Sequence, residues 1–575
     1  MFTLLGVVAL GLSFILPGHY PPWESFEQEA LAVVSLGLMA CQTFATGTGA
    51  AKRLRDGMAT PGLAYLACAL AAIPWLQYAS GRIVFLSDAL MPSLYLVLLA
   101  VAVCVGSTLA RSPRRDELVQ GLCMAFIVAG SVAIFMACEQ WQGHSLGIFL
   151  TDLPPGGRPF ANLGQPNHLA TLVGLMAMGV LYLFECRKLG PAAAIALGAW
   201  GAWGLAMSQS RTGWLFVALL SLWWLFLRKR AALRTRAAGL GFLVLLFIVM
   251  VVLWQPLNDA LLLSMVTTME ERLQGGTRML HWSSLWQAIW MHPWAGWGWA
   301  QVGMAQQAVA LNYPASHEWI NNSHNLVLDL LVWNGLPLGL LVVAMLATWF
   351  VRRVRACRSP QAWALLVGIG AIFTHAMLEF PLDYAYFLVP AGLLMGAVDA
   401  FCTLPEPRTQ PRVVLAIPTL LVALLCGWIA VEYVEVRTAA TQLRYFLRGF
   451  STAVAEGAPA PQVRLLDSLQ AFHKFWLMPA DKAVKPEELG RLQATAARYA
   501  SAPALMRYAR IAAESDRPDE AARALGLLCK MHPTQDCIDA RAYWALWAKE
   551  DAHLALVPLP VPEGKVPPRR GFMPP

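Results

Sequence analysis

Residues 92–138 read PSLYLVLLAVAVCVGSTLARSPRRDELVQGLCMAFIVAGSVAIFMAC, in which a short basic loop joins two apolar runs. Each run is close to the roughly 20 residues that an α-helix needs to cross the hydrocarbon core of a bilayer. The same pattern recurs along the chain, and we predict about 13 such spans. They lie at residues 2–16, 29–47, 61–79, 92–110, 118–138, 167–185, 191–208, 212–227, 238–254, 324–350, 361–378, 384–403 and 413–433. The sequence therefore predicts an all-α fold, a polytopic membrane helical bundle.

The composition excludes an ordinary soluble protein. Of the 575 residues, 57% are hydrophobic and only 14% are charged, whereas a soluble domain carries about 25% charged residues. Most of the net charge of +8 lies in short loops between the apolar runs, where Lys and Arg determine membrane topology. We therefore predict contact with membrane lipid and no nucleic-acid partner.

Basic loops alternate with loops that carry few cations. The basic loops are AKRLRD (51–56), RSPRR (111–115), CRK (186–188), RKRAALRTR (228–236), VRRVRACR (351–358) and PEPRTQPR (405–412). Because cytoplasmic loops retain Lys and Arg, we predict that these loops and the amino terminus face the cytoplasm. The remaining loops, and everything after residue 434, then lie on the outer side.

Three regions are predicted to extend outside the bilayer. The membrane domain covers residues 1–436 and includes a large outer loop, 255–323, whose many Trp residues favour the membrane interface. Residues 437–555 are predicted to form a helical outer domain, and the Pro-rich tail 556–575 is predicted to be disordered.

Two features of the outer domain have alternative interpretations. Residues 502–533 read as two helices around a tight turn, which is similar to one tetratricopeptide-like hairpin or to an ordinary helical pair. Cys529 and Cys537 flank KMHPTQD in an oxidising location, so they are either a disulfide or two free thiols.

Common soluble chemistries are absent from the sequence. It contains no Walker A loop, no H-E-x-x-H pair and no D-x-D pair suited to Mg²⁺. We therefore expect no nucleotide cofactor and no catalytic metal. Any reaction must use an energy-rich substrate that is already present at the outer face.

Ionisable residues near the bilayer are costly and are therefore functional candidates. His324 lies in NNSHN (321–325), beside Asn325, at the junction of the large outer loop and a span. Its ordinary pKa of about 6.5 suits it to accept a proton from a hydroxyl group. The alternative is a histidine at a helix start that bonds only a backbone carbonyl.

Three arginines at the outer side are candidates for binding phosphate. Arg211 lies in the tight loop SQSRTG (208–213), Arg278 in the large outer loop and Arg158 in the loop before the sixth span. A guanidinium group binds phosphate oxygens in a bidentate manner. The alternative is that these side chains extend to lipid headgroups.

Two further outer segments carry polar groups at the ends of spans. In GRPFANLGQPNH (157–168), Pro166 favours a helix start, which places the amides of Gln165 and Asn167 where they bind sugar or phosphate or cap the helix. The second segment, LEFPLDYAY (378–386), is predicted to expose Glu379, Asp383, Tyr384 and Tyr386 on the outer side. Either tyrosine is a ligand or an interface anchor.

Together and in this order, the motifs resemble the bacterial O-oligosaccharyltransferases that glycosylate pilins and other exported proteins, relatives of the O-antigen ligases and polymerases. The motifs are LPGHYPPWESFEQE (16–29), GRPFANLGQPNHLA (157–170), SQSRTGW (208–214), TRMLHW (277–282), GWGW (296–299), SHNLVLDLLVWNGLPLG (323–339) and LEFPLDYAYFLVPAGLLMG (378–396). The resemblance spans most of the chain.

The resemblance implies a GT-C-like, metal-independent glycosyltransferase of the bacterial inner membrane, with its active site and carboxyl-terminal domain in the periplasm. The donor would be an undecaprenyl-pyrophosphate-linked oligosaccharide and the acceptor a Ser or Thr of a pilin-like or other periplasmic protein. By motif, His324 matches the essential histidine of the family, Arg211 its phosphate-binding arginine and Gln165 its required glutamine. Arg278 matches a loop arginine, and either Tyr384 or Tyr386 matches a functional tyrosine.

A direct attack of the acceptor hydroxyl on the anomeric carbon would invert that centre. Two alternatives remain open from the sequence. An O-antigen ligase or polymerase would use the same donor with a sugar acceptor, and a transporter of lipid-linked glycans would form no bond.

Overall fold

The computed structural model describes residues 1–18, 21–45, 57–154, 157–261, 277–405, 407–448 and 460–564, and most of them are helical. The helices in chain order are α1 (Phe2–Ser13), α2 (Phe26–Ala45), α3 (Gly62–Leu70), α4 (Ile73–Ala79), α5 (Leu86–Ala110), α6 (Arg115–Trp141), α7 (Pro166–Glu185), α8 (Pro191–Ser208), α9 (Arg211–Leu227), α10 (Ala237–Val252), α11 (Trp254–Ala260), α12 (Thr277–Met291), α13 (Val302–Val309), α14 (Leu326–Ala356), α15 (Pro360–Ala376), α16 (Ala385–Ala397), α17 (Arg412–Leu447), α18 (Asp467–Leu477), α19 (Pro486–Arg498), α20 (Ala502–Glu514), α21 (Pro518–Met531), α22 (Thr534–Trp547) and α23 (Ala552–Ala555).

Several of these helices are suited to span a membrane. Among the described residues, six segments are long and apolar enough: Gly62–Ala79, Leu86–Ala110, Arg115–Trp141, Pro166–Glu185, Leu326–Ala356 and Arg412–Leu447. The pair α10 and α11, bent by 46°, would make a seventh. The helices Phe2–Ser13, Arg211–Leu227 and Ala385–Ala400 are apolar but shorter. A multi-pass membrane protein is thus supported, and the total of about 13 spans stays a prediction.

The all-α prediction needs one correction. Strand β1 (Gly57–Thr60) pairs antiparallel with strand β2 (Arg408–Pro411), so a small two-stranded sheet joins two of the predicted cytoplasmic loops. The backbone N–H of Ala59 also donates to Thr108 Oγ1 near the end of α5, at 3.2 Å. A sequence pattern of only four residues per strand is too short to separate from a loop.

Helices α5 and α16 pack in close contact at the centre of the bundle. A Cβ atom added to Gly106 of α5 would collide with the carbonyl of Leu393, and one added to Gly396 of α16 would collide with the carbonyl of Val103. Only glycine permits this approach of the two backbones. The contact matters for function because α16 begins directly after the segment that carries Glu379.

Segments from the two predicted sides of the membrane contact opposite ends of α5. At its amino end, Asp467 of the carboxyl-terminal region accepts hydrogen bonds from the backbone N–H groups of Leu86 and Ser87, at 2.9 and 2.8 Å. At its other end lie β1 and the basic loop 111–115, where Arg115 stacks on Phe401. The predicted loop 51–56 lies outside the described residues.

The carboxyl-terminal domain consists of helices α18 to α23. Helix α17 continues to Leu447, past the predicted domain boundary at residue 437, because its helical pattern does not end where its apolar run ends. Helices α20 and α21 form the predicted helical pair around a turn at Ser515–Arg517. Whether this pair is a tetratricopeptide-like unit stays a prediction.

The domain is held against the large outer loop by Lys530. Its backbone carbonyl accepts from the N–H groups of Ser316 and His317, at 2.9 and 3.1 Å, and its ammonium group donates to Tyr313 O and Glu563 Oε1, at 2.6 and 2.7 Å. Residues 556–564 contact the domain, since Thr534 Oγ1 donates to Glu563 O and Arg541 to Pro560 O. Residues 565–575 lie outside the described residues, and disorder of the tail stays a prediction. Val557, which is buried, adds an apolar anchor.

Cys529 and Cys537 form a disulfide in the structure, so the first of the two interpretations is confirmed. The bond closes a loop with a sequence separation of 8 residues between α21 and α22. We expect the double variant Cys529→Ser, Cys537→Ser to lower the free energy of unfolding of this domain by about 2–3 kcal/mol, through loop-closure entropy. Thermal unfolding of the purified chain should show a lower Tm for the variant, and dithiothreitol should lower the Tm of the wild type only.

Candidate active site

Glu379 is the centre of the site. Its Oε2 lies 2.5 Å from Nδ1 of His324, and its Oε1 accepts from Nη2 of Arg278 at 2.6 Å and from Nδ2 of Asn167 at 3.1 Å. These partners are 55, 101 and 212 positions away in the chain. Four residues that the sequence analysis selected separately thus meet at one carboxylate.

The backbone around His324 is held by its neighbours. His324 has a φ of +58°, a left-handed conformation that is uncommon for a residue with a side chain. The preceding N–H, of Ser323, donates to Asp329 at 2.8 Å, and the carbonyl of Ser323 accepts from Trp282 Nε1 at 2.9 Å. These contacts over-determine the turn, which is how proteins maintain strained backbone at functional positions.

Asn325 has a structural task that the sequence analysis did not assign. Its Oδ1 accepts from the N–H groups of Val327 and Leu328, both at 3.1 Å, and its Nδ2 donates to Met377 O at 3.1 Å. It therefore caps helix α14, as an Asn at this position commonly does. The predicted contact of Asn325 with substrate stays a prediction.

Arg211 begins helix α9 and reaches the same cluster. The helix is capped by Ser210, whose hydroxyl accepts from the N–H of Thr212 at 3.1 Å and donates to Oδ1 of Asn167 at 2.5 Å. Asn167 thus links α9 to Glu379 and does not cap its own helix. Arg211 is exposed, and it lies close enough to interact electrostatically with both Arg278 and Glu379.

Arg158 and Gln165 flank this cluster. Nη1 of Arg158 donates to the backbone carbonyl of Gln209 at 3.2 Å, two residues before Arg211. Gln209 has a φ of +46°, so the chain reverses sharply between α8 and α9. Gln165 lies at the start of α7, and together with His168 it lines a cavity in the bundle.

Tyr384 and Tyr386 differ in environment. Tyr386 is fully buried, and its hydroxyl lies 3.0 Å from Nδ1 of His168. The prediction that it faces outward is therefore wrong, because α16 begins at Ala385 and turns the side chain into the bundle. Tyr384 is half-buried, and both tyrosines pack edge-on against His168 and line the cavity, so which of them is the functional one stays a prediction.

A cavity of about 880 Å³ connects the site to the interior of the bundle and to the carboxyl-terminal domain. Its middle part is lined by Gln165, Asn322, His324, Asp383 and Tyr384. Its inner part is apolar and is lined by Leu66, Leu99, Leu330 and Met395. Its outer part is lined by Asp88, Ser468, Arg498 and Tyr499. Asp88 and Leu99 belong to the same helix and lie about 16 Å apart along its axis, given a rise of about 1.5 Å per residue.

The carboxylates of the site have altered proton affinities. Burial by itself would raise the pKa of Glu379, but the hydrogen bond and charge of His324 and the charge of Arg278 outweigh it and lower that pKa. Asp383 is accessible to solvent, yet the surrounding cavity wall desolvates its carboxylate and raises its pKa to about 6, against the bond from Asn322 Nδ2 at 2.6 Å. Glu379 therefore stays ionised to a lower pH than Asp383 does.

The lowered pKa of Glu379 predicts a pH-dependent stability. A carboxylate of this kind stabilises the folded state above its unfolded pKa of about 4.3, and that contribution is lost as the pH falls through the folded pKa. We expect the Tm of the wild type to exceed that of Glu379→Gln near pH 7, and the difference to shrink below about pH 4. Thermal unfolding across this pH range measures it, and a difference independent of pH would contradict the assignment.

Glu29 is a second buried carboxylate, which the sequence analysis missed. It accepts hydrogen bonds from Trp23 Nε1 at 2.9 Å, from the hydroxyls of Ser25 and Tyr95, and from the backbone N–H of Ala385 at 3.2 Å. It therefore joins α2, α5 and α16 at the level of the site. An acidic residue at the start of an apolar run was the signal that could have revealed it.

Comparison with known proteins supports a family assignment. Residues 193–343, which contain Arg211, Arg278 and His324, match the family described as O-antigen ligase. Residues 362–543, which contain Glu379 and most of the carboxyl-terminal domain, match the family described as virulence factor membrane-bound polymerase, C-terminal.

Two curated relatives extend the similarity over most of the chain. A general O-oligosaccharyltransferase of Acinetobacter baylyi is 30% identical over 441 residues, which are 74% of this chain and 75% of the relative. The chain belongs to the O-oligosaccharyltransferase family. A ComP-specific O-oligosaccharyltransferase of the same organism is 28% identical over 399 residues, 68% of this chain and 70% of that O-oligosaccharyltransferase.

The family predicted from the motifs is thereby confirmed, as is the enzyme class. As an O-oligosaccharyltransferase, the protein is a membrane enzyme of the O-antigen ligase superfamily that transfers a lipid-linked glycan to protein. The structure adds which of the candidate residues of this enzyme lie in contact with one another.

Proposed function

We propose that this enzyme transfers a glycan en bloc from an undecaprenyl-pyrophosphate carrier to Ser or Thr hydroxyls of pilin-like or other periplasmic proteins. The observation that carries the proposal is His324, which is bonded to Glu379 and lines a cavity with an apolar inner part and a polar outer part. The polarity of a lipid-linked sugar changes in the same order, from an apolar chain through an anionic linker to a hydroxyl-rich glycan.

His324 acts as the general base in this proposal. Glu379 engages its Nδ1, so Nε2 is the ring nitrogen left for a substrate. This arrangement favours the tautomer that accepts a proton at Nε2 and stabilises the imidazolium that forms. The acceptor hydroxyl transfers its proton to Nε2 while its oxygen bonds the anomeric carbon. The bond from that carbon to the pyrophosphate oxygen breaks, and the anomeric centre inverts.

Arg211 and Arg278 hold the departing pyrophosphate. Arg278 now donates to Glu379, and Arg211 lies beside both groups, so their guanidinium groups are positioned before substrate arrives. Stabilising the charge that develops on the leaving group is commonly the largest single contribution to catalysis. The proposed substrate-binding set is completed by Arg158, Gln165, Asn167, Asn325, Glu379 and either Tyr384 or Tyr386.

The two arginines supply the positive charge that a divalent metal supplies in many other transferases. We therefore propose that the enzyme is metal-independent. Transfer with purified enzyme, donor and acceptor should keep its rate in excess EDTA. A rate that EDTA abolishes and that Mg²⁺ or Mn²⁺ restores would contradict this part of the proposal.

The proposed position in the membrane depends on the separation of basic loops from loops that carry few cations. We propose that the enzyme lies in the bacterial inner membrane, with the basic loops and the amino terminus in the cytoplasm. The site and the carboxyl-terminal domain then face the periplasm. The positive charge of loops such as 111–115 and 228–236 supports this orientation.

Mass spectrometry tests the acceptor directly. The chain, or its His324→Ala variant, is expressed in a glycan-producing bacterium that lacks its own ligases, and periplasmic proteins and lipid A-core are analysed. We expect glycan on Ser or Thr peptides with the wild type only. Glycan on lipid A-core, or a lengthened polymer, would instead assign a ligase or a polymerase. Donor accumulation without any new bond would favour a transporter.

A further inference from the structure

The outer part of the cavity carries a polar cluster that the proposed chemistry does not use. We name Asp88, Ser468, Arg498 and Tyr499 the outer subsite. Nε of Arg498 donates to both carboxylate oxygens of Asp88, at 3.1 and 2.9 Å, and the hydroxyl of Tyr499 donates to Ser468 Oγ at 3.1 Å. Asp88 belongs to α5, and the other three belong to the carboxyl-terminal domain.

Part of this cluster remains available to a ligand. Among the described residues, Arg498 uses only its Nε for hydrogen bonding, and 29% of its side chain is exposed. Its guanidinium group lies 5.3 Å from the centre of the Tyr499 ring. A planar set of N–H donors, a carboxylate and an aromatic ring are together suited to vicinal hydroxyl groups, which both donate and accept hydrogen bonds.

The outer subsite lies on the correct side of the reaction centre for a glycan. Asp88 precedes Tyr95 on α5 by about two turns, which is about 10 Å. Tyr95 shares the Glu29 carboxylate with Ala385, at the start of α16, and so lies at the level of the site. The apolar part of the cavity continues in the opposite direction to Leu99. A donor with its lipid chain inward and its anomeric carbon near His324 would extend its distal sugars outward.

We infer that the outer subsite binds the distal sugars of the lipid-linked glycan, so that the carboxyl-terminal domain contributes to donor selection. This inference rests on the proposed function. The acceptor polypeptide is the less suitable occupant, because the four residues provide neither an apolar pocket for a side chain nor a free strand edge. A saccharide presents hydroxyl groups, and the cluster provides hydrogen-bond donors and acceptors that bind them.

The test compares two donors on the purified full-length enzyme. One is undecaprenyl pyrophosphate bearing a single sugar, and the other bears an oligosaccharide with the same first sugar; the acceptor peptide is the same. We expect Arg498→Ala to raise the ratio of the KM for the long donor to the KM for the short donor by about tenfold, the usual effect of losing a charged hydrogen bond. Arg498→Lys should give a smaller rise, because Lys lacks the planar set of donors.

A matched variant separates ligand binding from domain docking. Lys530→Met removes the ammonium contact that holds the same domain to Tyr313 O of the outer loop, together with the ion pair to Glu563, at a place that does not line the cavity. We expect its KM ratio to equal that of the wild type. Equal ratios in Arg498→Ala and wild type would overturn the inference, and so would an effect confined to the KM of the acceptor peptide. Loss of protein glycosylation as such is tested by His324→Ala, so the two proposals fail separately.

Discussion

The variant His324→Ala should lower kcat for glycan transfer by about 10³-fold, within the range that general-base catalysis contributes. The reason is that Glu379, which holds Nδ1 of His324 at 2.5 Å, has a lowered pKa and is too weak a base to replace the imidazole. The KM for the lipid-linked donor should change little, because the imidazole acts on the acceptor hydroxyl. Steady-state kinetics with purified donor and an acceptor peptide measures both constants.

His317→Ala is the matched control for that variant. His317 lies in the same outer loop and has a φ of +55°, close to the +58° of His324, so alanine meets the same backbone strain at both positions. Its ring bonds the carbonyl of His532 and is not part of the cavity lining. We expect His317→Ala to retain kcat within about twofold, as is usual away from a site. Equal losses in the two variants would indicate misfolding and contradict the role of His324.

Replacing either Arg211 or Arg278 with alanine should lower kcat by about 10²–10³-fold, the effect of removing one group that stabilises developing negative charge. Arg278→Ala has a second effect, because it removes the donor that lies 2.6 Å from Glu379 and leaves that carboxylate with fewer partners. Lysine should restore little at either position, since a point charge does not reproduce a bidentate guanidinium group. Single-turnover rates with a radiolabelled donor measure the chemical step.

Arg437→Ala provides the comparison for the two arginine variants. Arg437 is on the same predicted side of the membrane and forms an exposed ion pair with Glu27 at 2.7 Å, outside the cavity lining. An exposed pair of this kind contributes little to stability. We expect wild-type rates for this variant. A loss of activity comparable with that of Arg211→Ala would mean that net positive charge on the outer side, and not contact with the pyrophosphate, determines the rate.

The motifs identified the residues of the site because each one places a polar or charged side chain at the end of an apolar run. A histidine, arginines and amides at the ends of apolar runs are costly there, and this cost is visible without a structure. The same reasoning missed Glu29, did not anticipate the capping role of Asn325 and wrongly placed Tyr386 facing outward. Burial, capping and side-chain direction depend on which helix lies opposite, and no local pattern contains that information.

The sequence by itself determined the membrane class, the approximate position of the long apolar helices and the separation of basic loops from loops with polar groups. Those properties depend on the length and composition of single segments. Only the tertiary structure decided that Glu379 joins His324, Arg278 and Asn167, residues that lie 55, 101 and 212 positions from it. It alone also placed Arg498 of the carboxyl-terminal domain against Asp88. The physical reason is that such contacts form where helices cross, and the crossing is set by close approaches such as that at Gly106 and Gly396.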